Sequence, residues 1–299
     1  MVSVGKLLEE ATSALEQAGI GTARLDALVL LEDVTGRDRA WLLAHPEHRL
    51  AAPERAKLTK LLKLRAEHMP LAYIRGRTEF YGRNFVINPA VLEPRPESET
   101  MIDMLGKLPA SGKFKPGGPY KAPKTLKIAD VGTGSGALGI TAELELSRSS
   151  KVAVDLLDID PGALEVAKMN VEKYTTNISV IRSDLLEDTA KDYDVLLCNL
   201  PYVPDGHTVN RAAMQEPKLA VFGGPDGLDI YRRLFGQVNE LRKKPLYILT
   251  EALPPQHGTL ASIARDAGYG LEREDDFIQL FALSATDPVR SAELHEKSV

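Results

Sequence analysis

The chain of 299 residues has one cysteine, one tryptophan and only 6% aromatic residues. A single thiol cannot close a disulfide within the chain, and no Cys/His cluster at zinc-ligand spacing accompanies it. The six histidines are scattered and support neither a catalytic triad nor a metal centre, so no metal is expected. No apolar run approaches the ~20 residues that a membrane-spanning helix needs. The N-terminus lacks the basic, apolar and small-residue succession of a secretory signal. A cytoplasmic protein without membrane association is expected. An excess of positive charge is also missing. The 37 basic and 42 acidic residues leave −5, which argues against stable nucleic-acid binding. What asymmetry exists is internal, since the first 78 residues are net basic and the remainder holds the acidity. Hydrophobic content of 43% is normal for a real core, and the length suits one large or two modest domains.

Residues 1–77 read as all-helical. Leu7, Leu8, Ala11, Leu15 and Ala18 recur at helical spacing until Gly19 and Gly21 stop the helix. Leu25, Leu28, Val29 and Leu31 mark a second helix, with Thr22 as its expected N-cap. Trp41 to Leu43 lie on a short third element. Pro53 opens a longer helix with Leu58, Leu61 and Leu62 on its apolar face. Its Arg55, Lys57, Lys60, Lys63 and Arg65 are expected on a solvated face; the alternative is a docking surface for an acidic or RNA-bearing partner. Residues 78–99 change character. Two short apolar runs around a glycine and asparagine turn predict a β-hairpin connector. The stiff segment Pro94-Arg95-Pro96-Glu97-Ser98-Glu99 then leads into a helix near residue 100. Residues 109–124, rich in Pro, Gly and Lys, predict a mobile surface insertion.

From residue 125 the pattern alternates. Strands are predicted at 125–131, 152–158, 178–182, 193–199, 245–251 and 277–284, with helices at 137–147, 161–174, 228–242 and 255–267. Such alternation predicts an α/β, Rossmann-like fold whose parallel sheet is covered on both faces. The expected organisation is a helical domain at 1–77, the connector at 78–99, a catalytic domain at 100–285 and a flexible tail at 286–299.

Ligands of such sheets sit beyond the carboxyl ends of the strands, and the motifs cluster there. The loop Gly132-Thr133-Gly134-Ser135-Gly136 follows the first strand of the alternating region and allows close approach of backbone to ligand. Alone it is generic, and Gly132, Gly134 and Ala137 also fit a dinucleotide spacing. Asp158 ends the next strand, where a carboxylate can accept both ribose hydroxyls; Asp160 is the better helix N-cap. Ser183-Asp184 follows the third strand, and an acid there can accept the amino group of an adenine, which favours S-adenosylmethionine. Asn199-Leu200-Pro201-Tyr202 follows the apolar run Tyr193 to Cys198 and forms a grip for a planar NH2 group. The Asn199 oxygen accepts one N–H, the Leu200 carbonyl accepts the other, and Tyr202 lies against the flat face. Pro201 forces Leu200 into an extended conformation. Displacement at a sulfonium needs placement more than acid or base, so Asn199, Pro201 and Tyr202 are the expected catalytic residues. Cys198 reads as a packed strand residue. Together the motifs predict methyl transfer from S-adenosylmethionine to a nitrogen on a planar group.

These residues, together with Ala23-Arg24-Leu25-Asp26-Ala27, Pro70 to Gly76, Glu79-Phe80-Tyr81-Gly82, the Pro94–Glu99 segment, Glu216-Pro217 and Gly223-Gly224-Pro225-Asp226-Gly227-Leu228, carry a resemblance. Over nearly its full length the chain resembles the peptide-chain release factor glutamine methyltransferases. The resemblance implies N5-methylation of the glutamine in the Gly-Gly-Gln loop of class 1 release factors, with S-adenosyl-L-homocysteine as product. It also implies a helical N-terminal domain that helps hold the factor, and a monomer. By matching position, Gly132 to Gly136, Asp158 and Leu185 would contact the cofactor, with Asp184 and Asn199 beside it, and Asn199 to Tyr202 would contact the glutamine. Two departures stand out. Leu200 replaces the family's usual proline, and Glu251-Ala252-Leu253-Pro254 replaces Glu-x-Gly, which takes weight from Glu251. A ribosomal-protein glutamine is an alternative target. Asn-Leu-Pro-Tyr is also similar to the acceptor motif of ribosomal RNA adenine methyltransferases, against which the Pro-Arg-Pro and Gly-Gly-Pro-Asp-Gly segments stand.

Overall fold

A computed structural model describes residues 2–108, 123–148, 150–189, 192–209 and 211–284. The tail expected at 286–299, and all but the last two residues of the insertion expected at 109–124, lie outside the described residues. The chain divides into two compact units. One is Met1–Thr78 with Ile87–Pro89 and Val209–Gln215, and the other is Glu79–Val86 with Ala90–Thr208 and Glu216–Val299.

The first unit holds α1 (Val4–Gln17), α2 (Ala23–Thr35), α3 (Arg39–Ala44), α4 (Ala52–Ala66) and α5 (Leu71–Arg75). The stripe Val4, Leu8, Ala11 and Leu15 of α1 is buried with Leu28, Leu31, Leu42 and Leu58 in one core. Two expectations need correction. Thr22 occupies the N-cap position of α2 but makes no side-chain cap bond, because its backbone (φ −103°, ψ 22°) is not the extended form that aims a cap oxygen at the helix. Nor is the basic run of α4 uniformly solvated. Lys57, Lys60 and Lys63 are exposed, whereas the Arg65 side chain is only 12% exposed and its Nε lies 2.7 Å from the Asp26 carboxylate of α2. That charge-assisted bond closes α4 onto α2.

The strands β1 (Arg77–Phe80) and β2 (Arg83–Val86) form a two-stranded hairpin. Its turn is Tyr81-Gly82, with φ 51° and 69°, rather than a glycine and asparagine pair; Asn84 lies within β2. Positive φ at both central positions is the requirement of a type I′ two-residue turn, and it is unfavourable for tyrosine. Tertiary bonds offset that cost. The Tyr81 N–H donates to Glu99 Oε1 (2.7 Å) and its phenol to Asp103 Oδ1 (2.8 Å).

The second unit is built on a seven-stranded sheet of β3 (Leu126–Val131), β4 (Val152–Asp158), β5 (Ser179–Arg182), β6 (Val195–Cys198), β7 (Tyr247–Glu251), β8 (Tyr269–Asp275) and β9 (Ile278–Leu283), in the order β5-β4-β3-β6-β7-β9-β8. It is flanked by α6 (Glu99–Lys107), α7 (Ala137–Leu146), α8 (Pro161–Tyr174), α9 (Lys218–Val221), α10 (Asp229–Glu240) and α11 (His257–Asp266). The first five strands are parallel, but β9 runs antiparallel to β7 and β8 antiparallel to β9. The sheet is thus mostly parallel, as expected, with an antiparallel pair added at one edge. β8 escaped prediction because only its first residue is buried, so it carries no apolar run. Alternate residues of the central strands feed two cores. Ile128, Val195, Leu197 and Leu249 pack with residues of α6 and α7, while Ala129, Leu196 and Ile248 pack with α10 and α11. Strand order reverses between β3 and β6, which opens a crevice at their carboxyl ends.

Asn170 of α8 is fully buried and secures one wall of that crevice. Its amide nitrogen donates to the carbonyls of Val86 and Ser135 (both 2.9 Å), and its oxygen accepts from the Val86 N–H (2.7 Å). The side chain thus joins strand β2 to the glycine loop. Replacing Asn170 by Ala strands three main-chain groups, and the unfolding free energy should fall by about 2–4 kcal/mol. Denaturant titration checks this; a loss under about 1 kcal/mol would mean the bonds are dispensable.

Candidate functional site

The cofactor half is organised by the turn after β3. Gly132, Gly134 and Gly136 all take positive φ (71°, 54° and 80°), a conformation that glycine adopts without strain. The N–H groups of Gly132 and Thr133 both donate to the Leu157 carbonyl (2.8 and 2.9 Å), which pins the loop to the end of β4. Gly134 N–H donates to Asp158 Oδ2 (2.9 Å), and the other Asp158 oxygen accepts from Asp160 N–H (2.9 Å). Burial pushes the Asp158 carboxyl above its usual range, and these main-chain bonds partly counter it. Asp160 caps α8 through the N–H groups of Gly162 (2.6 Å) and Ala163 (3.0 Å), as its sequence position suggested. Beneath the loop, Asp130 Oδ2 accepts from Thr133 Oγ1 (2.6 Å) and Gly139 N–H (2.9 Å). Burial raises its pKa to about 6.

After β5, the Ser183 hydroxyl donates to the Leu185 carbonyl (2.9 Å) and accepts from Asp188 N–H (3.1 Å). Leu185 is held in the left-handed region at φ 55°. The Asp184 carboxylate is paired with Arg233 of α10 at 2.6 Å, so one of its oxygens already has a partner.

The acceptor half begins where β6 ends. Asn199 Nδ2 donates to Ser98 Oγ (2.9 Å), and Ser98 Oγ donates to Glu251 Oε2 (2.5 Å). Tyr202 Oη donates to the other oxygen of the same carboxylate (3.0 Å). A serine has one hydroxyl proton. Because Ser98 gives it to Glu251, Ser98 can only accept from Asn199, and this fixes which way round the carboxamide lies. The Asn199 oxygen is left for the cavity. Burial first, and then the neighbouring Glu251, push the Tyr202 phenol well above its usual pKa, so it stays a donor. Behind this segment the fully buried Tyr231 hydroxyl has one proton to share between the carbonyls of Cys198 (2.9 Å) and Glu251 (2.6 Å), and it faces the N–H groups of Glu251 (3.2 Å) and Leu200 (3.4 Å). It ties the ends of β6 and β7 together. Gly223 supports Pro201 from beneath; a Cβ there would lie 2.3 Å from the Pro201 carbonyl oxygen. Arg95 pairs with the buried Glu216 at 2.5 Å, which clasps the Pro-Arg-Pro segment to Glu216-Pro217.

One cavity gathers most of the predicted residues. Gly132, Thr133, Gly134, Ser135, Asp158, Asp184, Leu185, Asn199, Leu200 and Pro201 line it, as does Ser98. Gly136 and Tyr202 are not in its lining. Gly136 backs onto Leu156 and Ile140, and the Tyr202 hydroxyl is bonded to Glu251. Sequence reasoning passed over Ser98 and discounted Glu251. Only the position of Glu251 at a strand's carboxyl end, and of Ser98 in the stiff Pro-Arg-Pro segment, could have pointed to them.

Comparison with known proteins bears on the family of the chain. The family described as PrmC N-terminal domain matches residues 6–76, and that described as Methyltransferase small domain matches residues 120–216. The release factor glutamine methyltransferase of Koribacter versatilis (strain Ellin345) is 35% identical over 257 residues, which cover 84% of this chain and 86% of that protein. The bifunctional methyltransferase of Rickettsia bellii (strain RML369-C) is 32% identical over 90% of this chain, and the chain spans about half (52%) of that relative's length. Among solved structures, the hMettl16 catalytic domain in complex with MAT2A 3'UTR hairpin 6 is similar with a TM-score of 0.50 and 16% identity, over 80% of this chain and 84% of that one; this is a likeness of fold alone. With more than a third of positions identical to a relative matched over most of both lengths, the chain belongs to the release factor glutamine methyltransferase family.

Proposed function

We propose that this chain transfers a methyl group from S-adenosyl-L-methionine to the side-chain amide nitrogen (N5) of the glutamine in the Gly-Gly-Gln motif of class 1 release factors, leaving S-adenosyl-L-homocysteine. The observation that carries this reading is the Asn199 carboxamide, whose nitrogen is committed to Ser98 and whose oxygen is not. Residues 1–77 serve as the helical substrate-recognition domain, 78–99 as the connector and the residues from 100 onward as the methyltransferase domain. The enzyme works as a cytoplasmic monomer without stable nucleic-acid binding. Among the described residues no helix is long and apolar enough to cross a membrane.

The cavity suits the cofactor. Asp158 is a carboxylate whose two oxygens each accept one N–H and retain lone pairs for ribose hydroxyls. Space beside Gly134 is open where a side chain would stand, which permits main chain to approach a ligand closely. Leu138, Ile159 and Leu185 supply apolar lining. The cofactor brings a methyl carbon activated by a positively charged sulfur.

The chain's own residues place the acceptor. An amide nitrogen is a poor nucleophile because its lone pair is delocalised into the carbonyl. The Asn199 oxygen and the Leu200 carbonyl accept the two N–H bonds of the target NH2 and hold it in one orientation. Both are fixed before the substrate arrives, so they also favour the positive charge growing on the nitrogen. Pro201 keeps Leu200 extended. An adenine amino group would satisfy the same two acceptors. The likeness to release factor glutamine methyltransferases and the acidity of the chain beyond residue 78 favour glutamine on a protein.

Asn199→Ala should lower transfer to a release factor by at least about 100-fold, while S-adenosylhomocysteine binds within several-fold of wild type. Near-normal turnover of the variant would remove the amide grip. Asp158→Ala should weaken cofactor binding by roughly 1.5–3 kcal/mol, the scale of hydrogen bonds to a charged group; calorimetry that finds unchanged affinity would take Asp158 out of the site. With methyl-labelled cofactor, label is expected in the release-factor glutamine and not in ribosomal RNA. The reverse outcome would establish the adenine reading.

A further inference from the structure

Glu251 is 1% exposed at the end of β7, and it is the common acceptor for two hydroxyls of the acceptor half. One is Tyr202 Oη (3.0 Å); the other is Ser98 Oγ (2.5 Å), which in turn accepts from Asn199 Nδ2 (2.9 Å). The direction of this chain is set at its far end. A carboxylate carries no proton and can only accept. Ser98 must then donate to Glu251 and accept from Asn199, and the Asn199 oxygen faces the cavity. A carboxylic acid can donate instead. Ser98 would accept from it, and the hydroxyl proton so released would turn toward Asn199, which can receive it only on its oxygen. The carboxamide must then lie the other way round and present its own NH2 to the NH2 of the substrate.

We propose that Glu251 and Ser98 are positioning residues forming a relay: ionised Glu251 holds the Asn199 carboxamide oxygen toward the target NH2, and protonated Glu251 lets the carboxamide turn over. Its catalytic meaning rests on the glutamine-amide reading above, whereas the relay itself does not. Several groups face Glu251. Arg95 and Glu97 approach from the segment before α6, the first lowering and the second raising its pKa. Tyr202 reaches it from the loop after β6, Tyr231 of α10 grips its main chain, and Ile278 of β9 lies across the ladder. Behind the strand, His257 of α11 meets the Ala252 carbonyl (3.2 Å) and pairs with Glu274 of β8 (3.2 Å). Burial outweighs the bonds from Ser98 and Tyr202 and lifts the Glu251 pKa to about 7. The competent arrangement therefore holds above that value and is lost as pH falls through it.

The full-length enzyme, labelled with 15N-asparagine, tests the relay without any substrate. The Asn199 side-chain signals are identified by their loss in Asn199→Ala. In wild type they should shift with a midpoint near pH 7. In Glu251→Gln, which keeps the size and one acceptor but cannot titrate, they should stay still; in Ser98→Ala they should no longer follow Glu251. Turnover on release factor should fall about tenfold per pH unit below the midpoint in wild type, and this acid limb should vanish in Glu251→Gln. Ser98→Ala should lower kcat at least about tenfold with KM and S-adenosylhomocysteine affinity within about threefold, a split that general loss of structure would not give. Asn199 signals that do not titrate in wild type, or that still titrate in Glu251→Gln, would overturn the relay. A wild-type enzyme that leaves release factor unlabelled would overturn only the functional reading, since the resonance titration decides the relay either way.

Discussion

The pairing of β3 with β6 is the constraint on which the rest depends. These strands are neighbours in space although β4 and β5 intervene in the chain, and their register places Val131 opposite Cys198. The residues that follow, Gly132 and Asn199, therefore leave the sheet at the same level. A Cβ on Gly132 would come within 2.8 Å of Leu200 Cδ2, so the glycine loop and the acceptor segment form one crevice. Two motifs far apart in sequence become a single candidate site because the strand order reverses at this pair. Shifting that register by one residue would send every side chain of β6 to the opposite face and separate the two halves.

Buried carboxylates crowd the carboxyl ends of the strands, and their energetics are revealing. Burial lifts Asp130 to about 6 and Glu251 to about 7. Both values lie above those of an unfolded chain. The folded state therefore holds these protons more tightly, and stability falls as pH rises from the ordinary carboxyl range through 6 to 7. Apolar residues at the same positions would relieve that cost. What the carboxylates provide instead is direction, since each accepts hydrogen bonds that fix a neighbour: Asp130 holds the glycine loop through Thr133, and Glu251 holds Ser98 and Tyr202. Stability is exchanged for placement, a trade typical of functional clefts.

What could be read from the sequence was what is local. The glycine loop, the cap at Asp160 and the parallel strands each rest on residues next to one another in the chain, and their bounds lie within a few residues of expectation. What could not be read was decided by partners distant in sequence. Tyr81 accepts a glycine-like conformation because Glu99 and Asp103 hold it. Arg65 leaves the solvated face of α4 because Asp26 is buried within reach. The strand β8 exists as an antiparallel edge on β9, although its exposed and charged residues carry no period that would announce it. Ser98 and Glu251 belong to the same class. Neither has a local signature, and only the meeting of β6, β7 and the segment before α6 gives them a role.

Leu200 illustrates how a departure from a family pattern can be absorbed by such partners. At this position a proline would stiffen the segment but would have no N–H to give. The Leu200 N–H faces the Tyr231 hydroxyl at 3.4 Å, a long contact that adds a weak restraint from the residue already joining β6 to β7. Its side chain, 3% exposed, fills the space that the missing Cβ of Gly132 leaves. Pro201 disfavours the helical form at Leu200, and Gly223 makes room for the Pro201 carbonyl. The rigidity lost with the first ring is replaced by packing and by contact with the main chain of Leu200.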